Sequence, residues 1–169
     1  MTSNRLDIRK PILLGLINPH NTEPLYVRPV GCSGYRLSSF LREFSALTED
    51  DYLNLFDRRN LLVSNEDDPH IAADEFRSTL GSGDNVILLG EAVRRALTTS
   101  IDLPKMLIHP ITVDDVTYRQ IPHPSGLTRF YNDSVARQLV AMMLLDLVNF
   151  NNEEENLKMK EGKNNASPQ

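Results

Sequence analysis

A single cysteine, Cys32, stands among the 169 residues. This scarcity excludes a disulfide framework, a cysteine-based zinc site and an iron–sulfur cluster held by this chain alone. The four histidines, His20, His70, His109 and His123, show no metal-ligand spacing. No apolar run approaches membrane-spanning length, and residues 1–10 are polar, without the apolar core of a secretory signal. Positive charge is scarce too: 18 Lys and Arg against 23 Asp and Glu leave a formal net charge of −5. Such a chain has no general attraction for nucleic acid, so any such binding must come from a local basic face. These absences set the expectation of a soluble intracellular protein with no membrane partner.

What is present is ordinary globular material, 40% hydrophobic and 24% charged, at a length that suits one domain. The expected organisation is a polar lead-in over residues 1–10, a folded domain over 11–150, and a disordered tail over 151–169, where apolar residues thin out. Residues 12–17 form a continuous apolar run of the kind a buried parallel strand needs. A long loop reaches to Gly34, and Leu37, Phe40, Leu41 and Phe44 then fall at helical spacing, for a helix ending near Leu47. Thr48 with Asp51 predicts a variant capping box opening a short helix through Phe56. The apolar end of residues 57–63 reads as a strand with Asn60 near its start. A modest helix is expected over 71–80, a buried strand over 86–90, and a helix over 91–98. A short strand is expected over 106–108 and another over 116–121. The last helix is expected over 135–150, with Leu139, Val140, Met143, Leu144 and Leu147 on one face. Strands alternating with helices predict an α/β fold of three layers, α/β/α, around a mostly parallel sheet.

Two loops stand out. Asn18-Pro19 follows the first strand, and His123-Pro124-Ser125-Gly126-Leu127-Thr128-Arg129 follows the last. Ligands of parallel sheets gather outside the carboxyl ends of the strands, so the two loops can face each other across one cleft. Each also has a plainer reading: Asn18 capping a turn, His123 bonding a backbone carbonyl, Arg129 as an exposed arginine before a helix.

Gly15-Leu16-Ile17-Asn18-Pro19 after a first strand, with Pro124-Ser125-Gly126-Leu127-Thr128-Arg129 before a last helix, resembles the uracil-DNA glycosylase superfamily. The likeness is nearest to the mismatch-specific uracil/thymine branch, whose signatures are Gly-Ile-Asn-Pro-Gly and Asn-Pro-Ser-Gly-Leu-Ser-Arg. It spans residues 12–148, with only the two terminal motifs specific. One residue is inserted between Gly15 and Asn18, His20 replaces the glycine after Asn-Pro, and His123 replaces the leading asparagine, giving the His-Pro-Ser start of the classical uracil glycosylases.

The resemblance implies a uracil-DNA-glycosylase-like fold and a monomeric, monofunctional hydrolase of N-glycosyl bonds, cytoplasmic or nucleoid-associated; the short compact form is compatible with a phage or bacterial origin. It would act on DNA carrying a deaminated, mismatched or modified pyrimidine, by base flipping, without metal or organic cofactor. Asn18 would position the attacking water, and His123 would donate to the departing base. Pro19, Tyr35, Asn60 and Ser125 would contact the base, Tyr35 by stacking (unless it is a core residue at a helix start) and Asn60 through its amide. Gly126, Leu127, Thr128 and Arg129 would meet DNA, with Leu127 and Arg129 filling the gap left by the flipped nucleotide. Arg36, Arg58 and Arg59 are candidate phosphate contacts. The alternatives are a non-catalytic relative that binds nucleic acid or recruits a partner, and an N-glycosidase of free nucleosides or nucleotides.

Overall fold

Hydrophobic run and parallel pairing together place β1 (Ile12–Gly15) in the interior of a five-stranded sheet, every residue of it buried. The computed structural model describes residues 9–18, 23–104 and 109–164. The sheet adds β2 (Asp57–Asn60), β3 (Asn85–Leu89), β4 (Ile111–Val113) and β5 (Val116–Ile121), in the order β2-β1-β3-β5-β4. All pairs are parallel except β4 with β5. The helices are α1 (Ser33–Glu43), α2 (Glu49–Leu55), α3 (Pro69–Ser78), α4 (Glu91–Leu97) and α5 (Ser134–Asn164), with a 3-10 turn at Arg129–Asn132.

Alternation along the strands builds one core on each face of the sheet. Ile12, Leu14, Val86, Leu88, Val116 and Tyr118 pack with Phe76 of α3 and Val93 and Leu97 of α4. Leu13, Ile87, Leu89 and Ile121 turn to the other face and pack with Leu37 and Leu41 of α1, Tyr52 of α2, and Val140 and Leu144 of α5. The mixed α/β architecture expected from the alternation of elements is therefore present, with helices on both faces of a mostly parallel sheet.

Several expectations need correction. β2 is Asp57–Asn60, so Asn60 ends the strand instead of opening it. An edge strand need not be apolar, and here Arg59 bridges Asp57 at 2.6 Å while its guanidinium lies 5.8 Å from the Phe76 ring centroid. β4 was not expected; Asp114 and Asp115, at φ 50° and 66°, make the two-residue turn that returns it to β5. The strand expected over 106–108 lies outside the described residues. Leu139 is 62% exposed, because Ala136, Val140, Ala141, Leu144 and Val148 form the face of α5 that meets the core. The tail expected to be disordered continues α5 as helix through Asn164. Its Glu, Lys, Leu and Met are good helix formers, and propagation from an established helix is far easier than nucleation.

Three helix starts follow local chemistry. Thr48 and Asp51 exchange capping bonds, Thr48 N to Asp51 Oδ2 at 2.8 Å and Asp51 N to Thr48 Oγ1 at 3.2 Å. Asp68 accepts from His70 N ahead of Pro69 in the first turn of α3. Asp133 accepts from Val135 N at 2.9 Å and opens α5.

Candidate functional site

Because β2, β1, β3 and β5 run parallel, their carboxyl ends share one edge of the sheet. The chain leaves β1 toward β2 and later returns to the opposite side of β1 as β3, so a topological switch lies between β1 and β3. A cavity of about 450 Å³ opens at that edge, and Asn18, Tyr26, Cys32, Asn60, His123 and Ser125 are among its lining residues. The loops singled out from the sequence thus share one site, although 105 positions separate Asn18 from His123.

Asn18 follows β1 and donates from Nδ2 to the Glu23 carbonyl at 3.1 Å, tying the two sides of its loop together. Pro19 lies outside the described residues. Asn60 pairs in register with Gly15, and its side chain makes no hydrogen bond to any described residue. A Cβ on Gly15 would stand 3.0 Å from Asn60 Oδ1, so glycine there lets the amide lie against β1. The result is one donor and one acceptor, side by side, at the wall of the cavity.

His123 stands at the exposed rim, and its Nδ1 accepts the Ser125 amide at 3.2 Å. The neutral ring therefore carries its proton on Nε2. Desolvation by the surrounding protein lowers the His123 pKa from the usual imidazole value, which favours that neutral form. Gly90, at φ +97°, is pressed against this residue: a Cβ there would meet His123 Cβ at 2.9 Å. The loop is braced from both sides. Arg36 Nε of α1 donates to the Pro124 carbonyl at 2.8 Å, and Tyr131 Oη donates to the Pro122 carbonyl at 2.6 Å. Within it, Thr128 N donates to the Ser125 carbonyl at 3.1 Å.

Other expected residues fall elsewhere. Tyr35 lies on α1, half-buried, with the Arg28 guanidinium 5.9 Å from its ring centroid; it does not line the cavity. Tyr26 is the aromatic that does. Gly126 lines the cavity, Leu127 is 95% exposed beside it, Thr128 is half-buried and Arg129 is exposed. Arg36 is engaged with Pro124, Arg58 with the Pro24 carbonyl and Glu23, and Arg59 with Asp57. Sequence reasoning marked the 18–34 loop by its length but did not select Tyr26, Arg28 or Cys32 from it, since no spacing within the loop distinguishes them.

Among the described residues, the lining holds no aspartate, glutamate or lysine, and no cluster of His, Cys, Asp and Glu could hold a metal ion. The polar side chains of the lining include the Asn18 and Asn60 amides, the His123 imidazole, serine hydroxyls, the Cys32 thiol and the Arg28 guanidinium, which is held by the Val27 carbonyl and Glu49; the amides and imidazole suit hydrogen-bonding a planar polar heterocycle. Among the described residues, no helix is long and apolar enough to cross a membrane. No protein-family model, curated protein or solved structure matches this chain.

Proposed function

We propose that the protein is a monofunctional DNA glycosylase, similar in fold and mechanism to uracil-DNA glycosylases, that hydrolyses the N-glycosidic bond of a deaminated, mismatched or modified pyrimidine. The observation that carries this reading is the convergence of Asn18, Asn60 and His123 on one cavity at the carboxyl edge of the sheet. Bond cleavage places positive charge on the sugar and negative charge on the departing base. Neutral His123, donating from Nε2, would stabilise the charge on a base carbonyl oxygen. Asn18 would position the attacking water through its amide, which is orientation and not proton abstraction. Asn60 would pair with the polar edge of the base, and Tyr26, which lines the cavity, would take the stacking role that the resemblance implies for Tyr35. Leu127, almost wholly exposed on the braced loop, with Arg129 two positions on, would enter the gap left by the flipped nucleotide. Neither motif carries a lysine, and none is among the described lining residues, in keeping with hydrolysis without the Schiff base that strand cleavage requires.

One observation favours a second reading, an N-glycosidase of free nucleosides or nucleotides. Arg28, Arg36 and Arg58 near the cavity already bond within the protein, and the chain is net acidic. Salt separates the two, since duplex binding weakens steeply with salt and nucleoside turnover does not.

The test is base excision from labelled oligonucleotides, single-stranded and duplex, carrying uracil, thymine opposite guanine, or 5-hydroxymethyluracil, with alkali to cut abasic sites. Excision that disappears in Asn18→Ala and falls sharply in His123→Ala is the expected result. Excision that survives Asn18→Ala would sink the mechanism. DNA binding without excision of any tested base would move the assignment to a non-catalytic binding protein.

A further inference from the structure

α5 is apolar over more of its circumference than the core occupies. Val135, Leu139 and Met142 are 58%, 62% and 50% exposed, and their spacing of four and then three residues lines them along one stripe. Asp146 continues the stripe four residues on and is also exposed. Beside it runs a groove of about 570 Å³, bounded by Leu139, Met142 and Asp146 of α5, Arg119 of β5 and Asn85 of β3.

The charges of this groove are unmatched. Arg119 is half-buried and donates from Nη1 to Asn85 Oδ1 at 2.7 Å, but no described carboxylate pairs with it. Desolvation alone pulls its pKa below the usual guanidinium value. Asp146 likewise enters no ion pair with a described residue. An acidic partner would answer Arg119 and leave Asp146 opposed, and a basic partner would do the reverse. A surface carrying one charge of each sign beside an apolar stripe is the complement of itself, which a two-fold contact between identical chains requires.

We propose that two copies of this chain associate through this groove, α5 against α5 in antiparallel fashion, with Arg119 of each facing the partner's Asp146. Leu139 and Met142 of each copy fill the centre of the contact. This dimer stands against the monomer that the resemblance implies. It leaves the cavity open, because the groove starts at Asn85, the amino end of β3, and the cavity lies beyond Leu89 at the other end.

Sedimentation equilibrium of the full chain over a wide concentration range tests it, alongside thermal unfolding to establish that each variant folds. The wild-type mass should double as concentration rises through the micromolar range. Leu139→Glu, at an exposed position, should weaken association about tenfold or more. Asp146→Arg alone and Arg119→Asp alone should each do the same, since each places like charges opposite one another. Mixing those two variants should restore pairing, because each chain then meets its opposite charge. A wild-type chain that stays monomeric throughout would overturn the proposal. So would a dimer indifferent to Leu139→Glu and Asp146→Arg, or folded charge variants that fail to pair when mixed.

Discussion

β1 and β2 lie side by side in register, Ile12 with Asp57 through Gly15 with Asn60, yet they are built from opposite chemistry. β1 is covered on both faces and is apolar throughout. β2 is an edge strand whose four residues are all polar and half-buried, held by backbone pairing to β1 and by the bonds of its two arginines. Burial makes β1 a part of the core. Exposure leaves β2 free to end in an asparagine whose amide faces the cavity. The lesson is that strand interiors maintain the fold and strand ends supply the site, and that the two demands can be separated by a few residues.

That division can be broken by substitution. Leu14→Ala should produce the largest effect, about 2–5 kcal/mol of lost stability, because Leu14 is wholly buried between β1 and the α3 and α4 layer. Chemical denaturation would measure it, and a loss below 1 kcal/mol or so would contradict the central position given to β1. Arg59→Ala should cost less, on the order of 1 kcal/mol or under, since its ion pair with Asp57 is partly solvent-screened and its contact with Phe76 is a single face. Asn60→Ala should change stability by about 0.5 kcal/mol or less while abolishing most of the proposed excision, the signature of a site residue on an edge strand. Gly15→Ala should fall between these, nudging the Asn60 amide and raising KM more than it alters unfolding.

Protonation is the smallest change available to the site, and its direction can be worked out. A proton added at Nδ1 of His123 would set two donors face to face, the ring N–H and the Ser125 amide. Desolvation opposes the charge as well, so the imidazole stays neutral to a lower pH than a free histidine does. The proposed excision should therefore persist below the usual histidine range and fall only once His123 charges. NMR titration of its ring should give the same midpoint as the acid limb of kcat/KM. An acid limb at or above the ordinary imidazole value would show that some other group governs it.

The sequence made the buried parts legible. Continuous apolar runs marked β1 and β3, and Thr48 with Asp51 marked the start of α2, because each of these signals is itself the cause of the structure. The Asn18 and His123 loops could be placed at a common edge from parallel topology alone. Asn60 was set at the wrong end of its strand because hydrophobicity follows Leu61 and Leu62, which leave β2 toward the interior, and not the charged residues that pair. For Tyr35 the two readings, stacking on a base or a core residue at a helix start, stay open in the sequence because an aromatic there has no orientation; the structure puts it half-buried on α1, and the 23–32 segment brings Tyr26 to the cavity. The exposure of Leu139 was hidden for a related reason, since periodicity reports which residues share a face and not how much of that face a neighbour covers.

Cys32 acquires a practical meaning from its position. It is the sole thiol of the chain, lies at the lining of the cavity, and is held there by a hydrogen bond from Sγ to the Tyr26 carbonyl at 3.2 Å. The native protein thus carries its own reporter: a thiol reagent would mark one defined spot without any engineered label. A ligand seated in the cavity would slow that modification, so occupancy could be followed as a rate of alkylation whether or not any bond in the ligand is ever cleaved.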